Sequence, residues 1–397
     1  MVTKMPRAGG HSAARQDHPR RRVLMVAWSD LRFYPPVFNL GYVLKSHEAG
    51  VKVLGFKGRH SSSNSCRPHD ISVHRVNSDA RGLFGKIGCF LRMLAWLTRN
   101  CLGWRPTSIV AHGSQALILG AYAAFLSHAE LIYYAHEVAD KPPSSTWLRM
   151  AFHLETSLAK RCSAVACASP ERAQVLAQRL RLHIRPLVVE NSPPGDTGLC
   201  GCSVEPAVDF ARRNTPEAEY IVVYAGRIGA AVGFAQICSA ILALPEKYVL
   251  VAAGLVEEGF RREFEQSVAV PRILYYGTVP YPHLRRWLRG ATVGLALYEP
   301  TDINTVHAAP CKMYEYLAAG IPVVTNSYPL ALRTIAHNHL GVCVDTLSAA
   351  ALAVAIKEVC ETEEHAVVSE ACSKFFRSRL AYEKHCDQLL ATCLAGK

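Results

Sequence analysis

Lys312 and Glu315 stand three residues apart in the stretch APCKMYEYLAAGIPVVTN, residues 309–326. Pro310 opens a short helical pattern there, with Met313, Leu317 and Ala318 on one face. Gly320 ends it, and Pro322 leads into the apolar strand VVT. A loop feeding a helix above a parallel sheet presents unpaired N–H groups and partial positive charge, which suit phosphate. A lysine at such a turn can hold phosphate or close a surface pair, and a carboxylate just inside the helix can accept hydrogen bonds from ribose hydroxyls. Arg227 occupies a comparable turn, AGRIGAAVG, between Gly226 and Gly229, where strand, glycine loop and helix again follow one another. The polar loop YEPTDINTVHAAP between these two places brings Asp302, Asn304 and Thr305 as further hydrogen-bonding groups.

Elements that could position these residues follow from Val23 onward. VLMVAWS, a helix over 35–49, VKVLGF, ISVHRV, a helix over 83–102, SIVAHG, a helix over 115–128, LIYYAHE, a helix over 146–161, SAVACAS, a helix over 170–181 and PLVVENS alternate along the first half. Short β-rich runs separated by helical spans predict a parallel, doubly wound sheet. Ligands of such sheets lie beyond the carboxyl ends of the strands. That rule singles out Ser29 and Asp30, His112 and Gly113, His136 and Glu137, and Ser169. Asp30 is placed to bind an acceptor or act as a base, or is a plain turn residue. His112 reads as a strand-end histidine capped by backbone, and the same reading is open for His136.

A second alternating series begins at YIVVYAGRIGAAVGF and continues through YVLVAAG, RILYYGTVPYPHL, ATVGLALYEP and LGVCVD. The expected organisation is a basic, disordered tail over 1–22, one Rossmann-like domain over 23–191 and a Pro- and Gly-rich linker over 192–217. A second such domain over 218–365 and helices over 366–397 complete it.

Taken together, the stretch at 309–326 and its surroundings resemble the donor-binding signature of nucleotide-sugar glycosyltransferases with two Rossmann-like domains facing across a cleft, the GT-B fold. The pattern P-x-K-x-x-E-Y-x-A-x-G-x-P-V-V resembles the retaining, family 4-like group, also called glycosyl transferases group 1. That resemblance implies an α/β architecture in which the last helix crosses back to the first domain. It implies catalytic roles for His136, Arg227 and Glu315, with His136 facing the sugar and Arg227 on the donor pyrophosphate. Gly226, Gly229, Gly277, Thr278, Val279, Asn304, Thr305 and Lys312 would bind the donor, with Tyr276 near the base, and Asp30 and Glu137 the acceptor. Two positions depart from the pattern: Val232 stands where a lysine is usual, and His307 where many relatives carry the first of two glutamates.

Composition sets the remaining bounds. The chain has 397 residues, half of them hydrophobic and 19% charged, which predicts a large folded core and room for two domains. Fourteen cysteines are scattered, with only Cys200 and Cys202 close together, so zinc is not expected and reduced thiols in a cytoplasmic protein are. ALILGAYAAFL, residues 116–126, is too short to span a bilayer, and no secretory leader is read at the basic N-terminus. The charge is uneven: Lys and Arg outnumber acids twenty to ten over 23–190, whereas residues 191–397 carry eighteen against twenty-one. A basic first half, with no acid between Arg81 and Arg105 on an amphipathic helix, suggests peripheral contact with an anionic membrane, or equally a core-packed helix with a solvated basic rim. No D-x-D motif occurs, so neither a metal nor any other cofactor is expected. The partners expected are a nucleotide sugar and a glycan or lipid-linked acceptor, and no nucleic acid. Two alternatives stay open, a nucleotide-sugar 2-epimerase and a non-catalytic scaffold or partner subunit of the same fold.

Overall fold

The structure is a computed structural model that describes residues 21–31, 34–57, 71–77, 82–139, 141–142, 146–195 and 204–395. The N-terminal tail up to residue 20 lies outside the described residues. The first sheet is built from β1 (Arg22–Asp30), β2 (Gly50–Lys57), β3 (Ser72–Asn77), β4 (Ser108–His112), β5 (Glu130–Ala135), β6 (Ala164–Cys167) and β7 (Leu187–Val188), all parallel, in the order β3-β2-β1-β4-β5-β6-β7. The second contains β8 (Tyr220–Ala225), β9 (Tyr248–Ala253), β10 (Ile273–Gly277), β11 (Val293–Ala296), β12 (Val323–Asn326) and β13 (Gly341–Val344), also parallel, in the order β10-β9-β8-β11-β12-β13. Helices cover both faces of each sheet. The central strands are therefore apolar on both sides: Val23–Ala27 and Tyr248–Ala253 are buried residue after residue. Between them the sheets support the α/β, two-domain expectation.

Each sheet reverses its winding once, between β1 and β4 and between β8 and β11. In the second sheet the two strands pair only at Val222 with Val293 and Val223 with Gly294, then part. Tyr316 fills the opening, its hydroxyl accepting from the Ala225 amide at 2.9 Å and donating to the Leu295 carbonyl at 3.2 Å. The space for its ring exists because residue 294 is glycine; a Cβ there would stand 2.5 Å from the ring. The Glu-Tyr pair in the motif is thus divided, with the tyrosine wedged into the sheet and the glutamate on the adjoining cleft side.

Local signals set most helix starts. Pro35 and Pro170 occupy the first turns of Pro35–Ser46 and Pro170–Leu180, and Ser169 Oγ accepts the Arg172 amide of the latter at 3.2 Å. Other stretches depart from expectation. The span 192–217 is not a linker throughout: Ala207–Asn214 is a helix, with Ala207, Val208 and Ala211 buried in the second core. Its apolar residues keep helical spacing, a signal hidden by the Pro and Gly before them; residues 196–203 lie outside the described set. On helix Gly82–Gly103 the core-facing residues are Cys89, Met93, Leu97 and Cys101, while Ile87 and Leu91 face outward.

The end of the chain joins the two halves. Helix His365–Phe375 packs in the second core through Cys372. Helix Asp387–Ala395 lies against the first sheet, where Leu389, Leu390 and Cys393 share a core with Val110, Ile132 and Tyr134. Ser108 Oγ donates to the Cys393 carbonyl at 2.7 Å.

Candidate active site

A cavity of about 630 Å³ lies between the carboxyl edges of the two sheets. From the second half its walls take Gly226, Arg227, Gly229, Val279, Asn304, Thr305, Lys312 and Glu315; from the first, His136, Glu137, Tyr34 and Arg172. Arg227, Glu315 and His136 therefore share one space. Gly277 and Thr278 adjoin Val279 but do not line it, and neither does Asp30, which ends β1 beside Phe56. Tyr276, expected near a base, instead packs its ring edge-on against Phe210 and Trp287, with centroids at 5.0 and 5.7 Å.

Lys312 enters from the first turn of helix Cys311–Ala318 and is 9% exposed. Its ammonium donates to Tyr224 Oη at 2.9 Å and lies 4.2 and 4.8 Å from the ring centres of Tyr224 and Tyr298. Tyr224 passes the contact on, donating to the Arg227 carbonyl at 2.5 Å. A Cβ on Gly226 would lie 3.4 Å from Lys312 Nζ, so the lysine is pressed against the glycine loop that carries Arg227. Desolvation without a carboxylate partner holds Lys312 down to about 7. Arg227 is 78% exposed and meets Glu257 at 3.8 Å, a weak surface pair that a ligand can displace. Glu257 itself fills the space beside Gly229, where any side chain would collide with its carboxylate.

Glu315 is 3% exposed, and its Oε1 has no partner within the protein. Burial pushes its carboxyl up to about 7, with Arg285 and a hydrogen bond from Tyr281 pulling the other way. Val232, at the place where a lysine is usual, is buried with Tyr224 and Phe234 in an apolar cluster. It also lines the cavity, so the wall is apolar at that place. His307 ends helix Ile303–Val306, and its carbonyl accepts from Arg172 Nε at 2.8 Å.

The polar loop leading to the motif is tied to the opposite half. Asp302 caps its helix, accepting the Asn304 and Thr305 amides at 2.8 and 2.9 Å, and Thr305 Oγ1 accepts the Asp302 amide in return. Asn304 makes a paired contact with Val138: its Oδ1 accepts the amide at 2.8 Å and its Nδ2 donates to the carbonyl at 3.0 Å. Arg172, which the sequence reading passed over, is 7% exposed and donates to three carbonyls, those of His136, Asn304 and His307, at 2.6–2.8 Å. One signal could have exposed it. An arginine in the first turn of a helix opposes the helix dipole, so it needs acceptors from elsewhere. His136 is buried, and its Nε2 lies 2.9 Å from His112 Nδ1. Burial, His112 and Arg172 hold its imidazole well below the ordinary histidine value, so it is neutral.

Residues 207–373 match the family model described as glycosyl transferases group 1. Among solved structures the chain is similar to Anabaena Alr3699/HepE in complex with UDP and glucose, at 18% identity and TM-score 0.68, over 93% of this chain and 98% of that one. It is similar to sucrose-phosphate synthase from Thermosynechococcus elongatus, at 16% identity and TM-score 0.65, over 93% and 97%. A putative UDP-N-acetylglucosamine 2-epimerase from Listeria monocytogenes matches at 11% identity and TM-score 0.58, over 94% and 95%. No curated protein matches by sequence. The second half thus carries a glycosyl transferases group 1 domain, and the GT-B plan shared with these solved structures extends across both halves.

Proposed function

We propose that this protein transfers a sugar from a nucleoside-diphosphate sugar to a glycan or lipid-linked acceptor, without a metal and with retention at the anomeric carbon. The reading rests chiefly on one observation: a buried lysine, an exposed arginine, a buried glutamate and a neutral histidine wall a single cavity between the halves. Arg227 and Lys312 take the diphosphate, Lys312 supplying from below the glycine loop the charge that Val232 does not. As the bond to the sugar breaks, negative charge grows on the leaving phosphate, and these cations with the first turn of helix Cys311–Ala318 stabilise it. Glu315 accepts from the ribose hydroxyls, Asn304 and Thr305 border the donor, and Val279 serves the base side, with Gly277 and Thr278 behind it. His136 meets a sugar hydroxyl, with Glu137 toward the acceptor. On retention, the departing phosphate takes the acceptor proton on the same face.

The UDP and UDP-glucose held by the Anabaena protein make a uridine diphosphate sugar the first donor to try. A peripheral position on a membrane in the cytoplasm, in polysaccharide or glycolipid synthesis, fits the outer face of helix Gly82–Gly103. There Ile87, Leu91 and Leu102 are 46–60% exposed alongside Arg92 and Arg99. No helix of the described residues is long and apolar enough to cross a membrane.

The test is thermal stabilisation by UDP-, GDP- and other activated sugars, followed by product analysis. Stabilisation with slow release of free sugar supports a transferase short of its acceptor. Isomerised donor would point to a 2-epimerase, and neither binding nor turnover to a scaffold.

A further inference from the structure

The imidazoles of His112 and His136 form an isolated pair beneath the cavity. His112 ends β4 at the winding reversal of the first sheet, beside Ala27 of β1 and Tyr134 of β5. His136 follows β5 and is a wall of the cavity. The rings are coplanar to 3°, with Nδ1 of His112 and Nε2 of His136 2.9 Å apart, the geometry of an in-plane N–H···N hydrogen bond. Tyr134 and Tyr34 enclose His136 at ring distances of 4.2 and 5.1 Å. The two outer nitrogens, Nε2 of His112 and Nδ1 of His136, are buried without protein partners.

One bond between two neutral rings leaves two arrangements. If His136 donates, His112 must carry its own proton on Nε2, a buried N–H with nothing to bond. If His112 donates from Nδ1, its Nε2 is a bare acceptor, and the proton of His136 moves to Nδ1. Each arrangement leaves one N–H without a protein partner, and only that of His136 belongs to a residue that walls the cavity, where a ligand can accept it. We propose that His112 is a positioning residue that holds His136 in the Nδ1–H tautomer, so that the cavity meets an N–H donor rather than a ring lone pair. The ligand group opposite is then an oxygen acting as acceptor, such as a hydroxyl or carbonyl of the transferred sugar. The identity of the sugar rests on the proposed function; the tautomer does not.

Long-range nitrogen–proton NMR of histidine-labelled protein reads the tautomer directly, with the His136 resonances assigned by comparing wild type with His136→Gln. The expected wild-type pattern is a protonated Nδ1 and a bare Nε2 on His136. The reverse pattern, or an imidazolium at pH 7, would overturn the proposal without touching the assignment of the enzyme. His112→Phe keeps the bulk and removes the donor, whereas His112→Asn places an amide N–H near the old Nδ1. In His112→Phe the Nδ1-protonated signal is expected to give way, and kcat with a UDP-sugar to fall about ten- to a hundredfold at nearly constant KM, the scale of a lost orienting partner. In His112→Asn both are expected to recover largely. Equal loss in the two variants, or an unchanged tautomer in His112→Phe, would sink the idea even if the enzyme turns over donor normally.

Discussion

Lys312 and Glu315 are displaced from their ordinary titration ranges in opposite directions, each to about 7, by the same cause, burial. Their effects on stability have opposite signs. The folded state holds the Glu315 proton more tightly than the unfolded state, so stability from this group declines as pH rises from 4.5 to about 7. The folded state holds the Lys312 proton less tightly, so its penalty is full below about 7 and fades toward 10.5. The ligand-free pair therefore contributes least to stability near neutrality. Lys312→Met is expected to raise the free energy of unfolding at pH 6–7 by on the order of a few kcal/mol, seen as a higher melting temperature, while abolishing stabilisation by a nucleotide sugar. Glu315→Gln should flatten the pH dependence between 4.5 and 7 in a thermal melt; an unchanged slope would mean that Glu315 is already ionised at neutral pH. Arg227→Ala should lose about a hundredfold or more in turnover of a UDP-sugar with little change in melting temperature, because its ion pair with Glu257 is exposed. Of these roles, the positions of Lys312, Glu315 and Arg227 were legible from glycines and prolines that dictate a turn. Their burial was not, since it depends on Tyr224 and Tyr298 arriving from elsewhere in the chain.

Among elements, the strand–helix alternation was readable because each strand of a doubly covered sheet is a short apolar run. Tyr316 shows what a local pattern conceals. Read alone it is one more aromatic beside a motif, yet it plugs the parting of β8 and β11, and Gly294 is its counterpart 22 residues earlier (316 − 294). Gly294→Ala should drive the new methyl into the ring and lower stability by about 1–3 kcal/mol, read in a denaturant melt. A neutral result would show that the ring has room to retreat. Helix Ala207–Asn214 was missed for the converse reason: eight residues with three buried positions give too weak a period to stand out from a Pro-rich neighbourhood. Which apolar residues of helix Gly82–Gly103 meet the sheet was not legible, because Ile87 and Leu91 as well as Met93 and Leu97 are apolar and only packing decides between them.

At the scale of the molecule, the halves are held together by contacts that no local pattern could announce. Arg172 reaches carbonyls 132 and 135 residues away, Asn304 pairs with Val138, Asn191 Nδ2 donates to the Ala309 carbonyl at 2.8 Å, and Tyr281 donates to Asn39 at 2.8 Å. Arg172→Met should leave three carbonyls, one buried and two part-buried, short of a donor and lower the melting temperature by several degrees. Hydrogen exchange around 136–138 and 303–309 should quicken with it. Glu171→Ala, which removes the half-exposed bridge to Arg333, should do neither. If the two variants behave alike, Arg172 is not what joins the halves.

The strap formed by residues 387–395 has a consequence for synthesis. Domains emerging from the ribosome ordinarily fold in the order in which they are made. Here the first sheet is made early, but the surface around Val110, Ile132 and Tyr134 waits for Leu389, Leu390 and Cys393. Until those residues leave the exit tunnel, the nascent first half carries an uncovered apolar face, the kind of surface that chaperones capture. Shortening the chain before residue 387 should therefore damage the half encoded first, and the loss should surface as poor yield before any defect in the donor half is seen.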